Sequence, residues 1–589
     1  MQEPNTTQRP CREGHFVSWD GTELFCRTWA PTALSDKAVI LIHRGHEHSG
    51  RLQLLVDELG LDECWAFAWD ARGHGRSPGD RGYAARYDDL VRDLDAFVRH
   101  VVREHGLRAE NIVLLANSVG AVTAAAWVHD YAPRIRGMVL AAPALRIRLY
   151  VPLAIPMLRL LQRVRPRANI SSYVKSKMLT HDPEQSRSYD ADPLITRNIA
   201  VNVLLGLHDT ATRVMADAGA ITTPTLVLSA GSDWVVKNSA QHRFFDGLSS
   251  EHKERALYPG FFHALLYEQQ RHWAIERARA FIRSCFDRPE EDRAPLLHAD
   301  REGYTRREYE ALQRPAPFPR NHYFALQKAA LRVMGRLSDG VRLGLETGFD
   351  SGQTLDYVYE NRPRGRTALG RWIDRAYLNA VGWKGIRRRG ENLQALLRQA
   401  VEEATGHGGE ARILDIATGC GRYVLEVLKA MPGVKARARL RDFAERNVEA
   451  GRKLAETLGL ENVEFEQGDA FDPASILGIE PRPNIAIVSG LYELFPENEP
   501  VLASLQAVAE VLEPGGVLLY TGQPWHPQIE LIARTCTNRE GKPWIMRRRT
   551  QAELDELVRS VGLEKERMEI DEFGIFTVSV ARKPLQPSG

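Results

Sequence analysis

Three side chains in the first half of the chain could together cleave an acyl bond: Ser118, Asp233 and His263. Ser118 ends the apolar run Ile112-Val113-Leu114-Leu115-Ala116-Asn117 and precedes Val119-Gly120-Ala121 and a helix-compatible Val-Thr-Ala-Ala-Ala. A serine on a sharp strand-to-helix turn sits in strained backbone, so only small residues fit two positions to either side, here Ala116 and Gly120. Its hydroxyl stays inert until a base positions and deprotonates it. Asp233 follows the apolar run Thr225-Leu226-Val227-Leu228, and His263 follows Ala256-Leu257-Tyr258 and Pro259-Gly260-Phe261-Phe262. Each is expected in a loop after a short strand, an acid to orient and an imidazole to act as base. The chain order is Ser, Asp, His.

The oxyanion side is present as well. Val39-Ile40-Leu41-Ile42 reads as a buried strand ending in His43-Arg44-Gly45-His46-Glu47-His48-Ser49-Gly50, a turn suited to presenting backbone N–H groups. Gly45 and Val119 are the candidate donors, and losing one such donor costs about 100- to 1,000-fold in rate. A further strand, Phe67-Ala68-Trp69, leads into Asp70-Ala71-Arg72-Gly73-His74-Gly75-Arg76-Ser77. His43, His46, His48 and His74 are read as loop-fixing or surface residues; zinc would need ligands at defined spacing, so no metal is expected.

On these motifs, residues 10–285 resemble an α/β-hydrolase of the monoacylglycerol lipase, lysophospholipase and S33-type aminopeptidase group. The resemblance implies a serine ester hydrolase acting on an acylglycerol or lysophospholipid-like substrate. Two departures stand out: Arg44 and His46 occupy positions where that group usually has glycine, and Ala116-Asn117 replaces a common Gly-His. The same triad cleaves amides, so an amidase or peptidase specificity stays open.

A second site lies far downstream. Arg412-Ile413-Leu414-Asp415-Ile416-Ala417-Thr418-Gly419-Cys420-Gly421 is an apolar strand entering a tight loop, with small residues Ala417, Gly419 and Gly421 at alternate positions. Small residues let backbone approach a ligand closely. A dinucleotide loop would want a third glycine opening the helix, where Val424 stands, and Asp415 precedes the loop; both favour S-adenosylmethionine. Asp442 follows the probable second strand and could accept from ribose hydroxyls. Asp469-Ala470 follows the third and could receive the adenine amino group. With the Glu513-Pro514-Gly515-Gly516 turn, residues from about 390 to 583 resemble a class I S-adenosylmethionine-dependent methyltransferase. Methyl transfer is an in-line displacement governed by proximity and orientation, and a base is needed only for a protonated acceptor. Tyr492, Glu493 and His526, just after strand ends, are the candidates, with packing or positioning as the alternative.

These sites need elements to hold them. His15 to Arg27 alternates around Asp20-Gly21 and reads as a β-hairpin. Five or six apolar strands then alternate with helical patterns to Phe286, the pattern of a mostly parallel sheet covered on both faces. The expected fold class is α/β throughout: an α/β-hydrolase fold over 10–286 with a cap insertion at about 144–221, followed by a Rossmann-like class I methyltransferase domain over 391–584. Residues 287–322 read as a linker and 323–390 as a helical extension of the second domain. The aromatic, arginine-rich segment from Gly348 to Trp383 either shapes an acceptor pocket or forms a helical cover.

The cap has an unusual charge balance, with eight Lys or Arg and no Asp or Glu between Leu145 and His181, interleaved with apolar residues. That suits peripheral contact with an anionic membrane. Pro152 and Pro156 disfavour a regular helix there, and an ordinary hydrophobic lid is the other reading.

At 589 residues the chain implies two to four domains, and 43% hydrophobic with 26% charged residues marks a globular protein. A net charge of +2 gives no pull towards nucleic acid, and six scattered cysteines argue against a disulfide framework. Met1 to Pro10 is polar without an apolar core, and no 18-residue apolar stretch exists, so a cytoplasmic location is expected, with the inner membrane face as the place of any peripheral contact. The whole chain resembles bacterial fusions of these two enzymes, which implies a bifunctional enzyme in lipid metabolism. The alternative is that one domain is silent and serves binding or assembly.

Overall fold

The computed structural model describes residues 8–290 and 292–585; residues 1–7 of the polar N-terminal segment lie outside them. The chain divides into two units, Met1–Asp292 and Arg293–Gly589.

The first unit is built on an eight-stranded sheet. Its strands are β1 (Arg12–Val17), β2 (Glu23–Trp29), β3 (Ala38–Ile42), β4 (Trp65–Trp69), β5 (Ile112–Asn117), β6 (Gly137–Ala141), β9 (Thr225–Ala230) and β10 (Lys253–Tyr258), ordered β1-β2-β4-β3-β5-β6-β9-β10. The Asp20-Gly21 turn closes the expected hairpin, pairing Arg12 with Thr28 through Val17 with Glu23. From β4 to β10 every neighbouring pair is parallel. Strands β3, β5, β6 and β9 are buried at every residue, which is why they read as unbroken apolar runs.

The cap interrupts this rhythm between β6 and β9. It holds the helices Ala154–Val164, Pro183–Ala191 and Val201–Ala216 and a small antiparallel pair, β7 (Asn169–Ser171) and β8 (Asn198–Ala200). The helix over Ala154–Val164 differs from the expectation drawn from Pro152 and Pro156. It starts after Pro152, and Pro156 sits in its first turn, where a missing N–H removes no intrahelical bond. None of its residues is buried, whereas Val201–Ala216 packs inward through Leu204, Leu205, Leu207 and Val214.

The second unit carries a seven-stranded sheet ordered β13-β12-β11-β14-β15-β17-β16. The strands are β11 (Ala411–Asp415), β12 (Ala436–Asp442), β13 (Val463–Gln467), β14 (Ile485–Val488), β15 (Val517–Gly522), β16 (Glu564–Ile570) and β17 (Thr577–Arg582). The first five are parallel and β17 runs antiparallel to both neighbours. Strand order reverses between the parallel neighbours β11 and β14, the switch point at which open α/β sheets bind ligands beyond their strand ends.

Two expected boundaries need correction. Residues 287–322, read as a linker, contain the helices Ala299–Glu302 and Tyr304–Gln313, and from Arg293 the segment belongs to the second unit. Asp300 accepts from the Asn498 N–H at 2.9 Å, and Arg548 donates to Glu308 at 2.5 Å. The charges that looked like linker composition have partners far away in sequence. The break at 390 falls inside one helix, Val381–Thr405, whose Leu393, Leu396, Leu397 and Val401 join the core under the sheet. The helical extension ahead of it has its own core of Phe349, Tyr357, Val358, Leu378, Trp383 and Ile386, closed by Ile575 and Phe576.

Candidate active sites

In the first unit, β5 delivers Ser118 onto a turn with φ +52° and ψ −110°, followed at once by the helix Val119–Tyr131. Such backbone costs of order 1–3 kcal/mol and persists only where the surroundings over-determine it. They do: Ser118 N–H donates to Ala141 O at 2.9 Å, and a Cβ at Gly120 would lie 2.5 Å from His43 O. His263 Nε2 stands 2.8 Å from Ser118 Oγ, and His263 Nδ1 stands 2.8 Å from Asp233 Oδ2. The other oxygen of Asp233 accepts from the N–H groups of Val235 at 2.7 Å and Val236 at 2.9 Å. Burial pushes the Asp233 carboxyl up, but the facing imidazole and these hydrogen bonds outweigh it and hold it below its ordinary value. All three triad residues are buried.

Gly45 and Val119 adjoin, a Cβ on Gly45 falling 2.9 Å from Val119 Cγ2. His43 fixes that turn: Nδ1 is 2.7 Å from Arg44 O, and Nε2 accepts from the Ala71 N–H at 3.0 Å, an arrangement for the neutral ring. Arg44, in a position where glycine was expected, is buried and pairs with Glu47, its guanidinium over the Tyr267 ring. His46 takes φ +73°. Burial pulls His46 down to about 4 and His74 to about 3, so both are neutral near pH 7.

Above the triad lies a cavity of ≈ 470 Å³ bounded by Ser118 and His263 and by cap residues such as Met157, Leu158, Ile170 and Leu207. Its lining is overwhelmingly apolar. Glu47 is the one acidic residue there, and it is held by Arg44 and Arg51.

In the second unit, Asp415 ends β11, buried, with Tyr423 OH donating to it and Ala417 N–H donating at 3.3 Å. Burial pushes its carboxyl up to about 7 against those hydrogen bonds. Gly419 and Gly421 take φ of +61° and +69°. A Cβ on Gly421 would strike Leu440 Cδ1 at 2.7 Å, while the Cβ direction at Gly419 is open. Asp442 ends β12; it accepts from Gly419 N–H at 2.8 Å and from Ala444 N–H and Asn447 Nδ2 at 2.9 Å each. Asp469 is exposed beside buried Ala470 and accepts from the Phe471 N–H at 2.8 Å. A close-approach loop, an open side at its first glycine and acids at two successive strand ends fit a nucleoside cofactor carrying an amino-acid arm.

At the end of β14 is a polar group with no local sequence signature. Arg389, buried on the helix Val381–Thr405, lies over Gly490 at the end of β14 and 3.8 Å from Glu493, with its guanidinium over the Phe576 ring. Thr521 Oγ1 donates to Glu493 at 3.0 Å and accepts from the Gly490 N–H at 2.8 Å. Arg389 Nε, Glu493 Oε2 and Gln523 Nε2 are buried without a hydrogen-bond partner. Tyr492 is instead a packing residue whose OH donates to Ser504, and His526 is buried, pulled down to about 4, with Nδ1 accepting from Gln528 N–H. Arg548 and Arg549 hold the loops after β14 and β15 by donating to the carbonyls of Pro524, Tyr492, Phe495 and Glu497. Arg389 sits in the run Arg387-Arg388-Arg389, indistinguishable in sequence from a solvated helix face. Among the described residues, no group of three or more His, Cys, Asp or Glu is placed to hold a metal.

Comparison with known proteins gives two family matches, one described as "Serine aminopeptidase, S33" over residues 34–270 and one as "Putative methyltransferase" over residues 278–583. The uncharacterized protein YnbC of Escherichia coli (strain K12) is 48% identical over 97% of this chain and 98% of its own length. The monoglyceride lipase of Homo sapiens is 29% identical over 43% of this chain and 83% of that protein. The crystal structure of Paleococcus ferrophilus monoacylglycerol lipase aligns with a TM-score of 0.40 and 24% identity, covering 45% of this chain and 98% of that one.

Proposed function

For a chain that belongs to the methyltransferase family matched over residues 278–583 and carries an S33-type hydrolase domain before it, we propose two reactions: hydrolysis of acylglycerol or lysophospholipid-like esters, and S-adenosylmethionine-dependent methyl transfer. The observation that carries the first is the unbroken chain Ser118 Oγ, His263 and Asp233, each contact 2.8 Å, opening into an apolar cavity.

The geometry supports the following course. Ser118 Oγ attacks the acyl carbonyl while His263 Nε2 takes its proton; Asp233 holds the ring in the required tautomer and stabilises the imidazolium. The N–H groups of Gly45 and Val119 receive the oxyanion. His263 returns the proton to the leaving alkoxide, and water then repeats the sequence on the acyl-enzyme. An ester with an apolar chain is favoured over a peptide, because an aminopeptidase would need a free carboxylate for the substrate ammonium. Glu47, the acid in the lining, is already engaged by two arginines.

In the second unit, Asp415, Ala417, Gly419 and Gly421 would hold the amino-acid end of the cofactor, Asp442 its ribose, and Asp469 with Ala470 its adenine. The bound cofactor supplies an electrophilic methyl group on a sulfonium. The residues orient it, while Arg389, Glu493 and Gln523 place buried, unpartnered polar atoms near the ends of β14 and β15. A cytoplasmic protein touching the membrane through its cap fits the exposed helix Ala154–Val164. Leu153, Met157 and Leu160 are exposed there near Arg159, Arg163, Arg165 and Arg167. No described helix is long and apolar enough to cross a bilayer.

Paired initial rates on a monoacylglycerol and on an acyl anilide of the same chain length test the substrate class. The ester is expected to be faster by at least about 100-fold, about 2.7 kcal/mol of transition-state stabilisation; equal rates would remove the ester preference.

A further inference from the structure

The helical extension of the second unit carries an exposed surface that is apolar and cationic together. From Arg314 to Ser338 inclusive the chain has five Lys or Arg and no Asp or Glu, of which Arg320 is paired with Glu530. Within this stretch the helix Arg320–Gly335 has two apolar sides. One, with Phe324, Gly335 and partly buried Leu331, faces the body of the extension. The other, with Tyr323, Leu326, Ala330 and Val333 at helical spacing, is exposed, Leu326 at 67%. Phe318, just before the helix, is 81% exposed. A helix serving only as cover would need the first side and not the second.

The helix Ala368–Leu378 repeats the pattern. Leu369 and Trp372, one turn apart, are exposed, Trp372 at 65%, with Arg371 and Arg375 exposed beside them. Its one acid, Asp374, is buried and accepts from Ser338 Oγ and from the N–H groups of Gly340 and Arg364. The outward side is therefore cationic and apolar together. Both helices pack on a third, Asp339–Thr347, so one body holds both surfaces.

We propose that this extension docks the second unit on an anionic lipid bilayer. Apolar side chains with an interfacial tryptophan and tyrosine, flanked by arginines, match the acyl–headgroup boundary of a negatively charged leaflet. A second copy of the chain is the weaker fit, since a two-fold contact would press the same cationic patch against itself. The docking surface is built from residues other than those of the cap.

The test uses the full-length protein in co-sedimentation with phosphatidylglycerol vesicles and with phosphatidylcholine vesicles. The parent is expected to bind the first and not the second, with binding lost at high salt. R332Q/R336Q/R371Q/R375Q is expected to lower partitioning by about two orders of magnitude or more, at roughly 5-fold per cation near the surface. L326S/W372S should lower it as well, with unchanged thermal unfolding midpoints in both variants. A cap variant, R159Q/R163Q/R165Q/R167Q, should retain binding that the four extension substitutions then abolish. Parent-like binding by the extension variants, or binding wholly lost in the cap variant, overturns the proposal. A dimer that L326S/W372S converts to monomer also overturns it, and assigns the surface to a second copy.

Discussion

The Asp70 carboxylate accepts the main-chain N–H of Ser49 at 2.6 Å, tying the loop after β4 to the loop after β3. Its other oxygen accepts the Arg76 N–H at 2.7 Å, and the whole side chain is buried. From the opposite direction, His43 of the first loop accepts the Ala71 N–H of the second. Gly75 is required where the two meet: at φ +50°, a Cβ there would lie 2.2 Å from Asp70 and 2.5 Å from His48. The turn carrying Gly45 thus owes its position to a clamp outside the triad.

Asp70→Ala should leave the buried Ser49 N–H unpaired, at about 1–3 kcal/mol, and release the partly buried Arg76 N–H at a smaller cost. Urea unfolding is expected to show that loss, and ester kinetics a lower kcat with KM nearly unchanged. Unaltered stability and kcat would mean that the clamp does not hold the turn.

Stability should also fall in acid. His46 and His74 are depressed from 6.5 to about 4 and about 3, mainly by burial, so between those values and 6.5 the unfolded chain binds protons that the folded chain does not. Stability contributed by the neutral rings is complete above pH 6.5 and lost as pH falls towards the folded values. The slope is at most about 1.4 kcal/mol per pH unit for each ring, discounted because both line the cavity and keep some solvent contact. Urea midpoints at pH 5 and pH 7 should differ less in H46N/H74Q than in the parent; an equal difference would exclude these rings as the source.

The two sites should be separable. Gly421→Ala, forced into a left-handed φ and against Leu440, and Asp469→Ala should each weaken binding of S-adenosylhomocysteine by about tenfold or more, a loss near 1.4 kcal/mol. Monoacylglycerol hydrolysis should remain at the parent rate in both. Calorimetry showing parent affinity in both variants would move the cofactor elsewhere.

Ser118 and Asp233 are legible in the sequence because β5 and β9 are buried at every residue and such strands announce their ends, whereas β10 before His263 is half-exposed and only its last three residues, Ala256-Leu257-Tyr258, read as a strand. In the second sheet β11, β14 and β15 are legible for the same reason, while β16 is mostly charged and carries no such signal. What stayed hidden depends on partners distant in sequence. Glu308 reads as linker charge until Arg548, 240 residues away, is placed beside it. Arg389 reads as a solvated helix residue until Gly490 and Phe576 close around it. Pro156 reads as a breaker unless the helix start is known to lie at Ala154.

The most direct measurement is intact-mass analysis after a fluorophosphonate probe, paired with monoacylglycerol turnover, in the parent and in Ser118→Ala. The parent is expected to gain one adduct on Ser118 and lose turnover in step with labelling. Ser118→Ala should gain none and turn over about 10⁴- to 10⁶-fold more slowly. An adduct at another residue, or turnover surviving in Ser118→Ala, would contradict a nucleophile at 118.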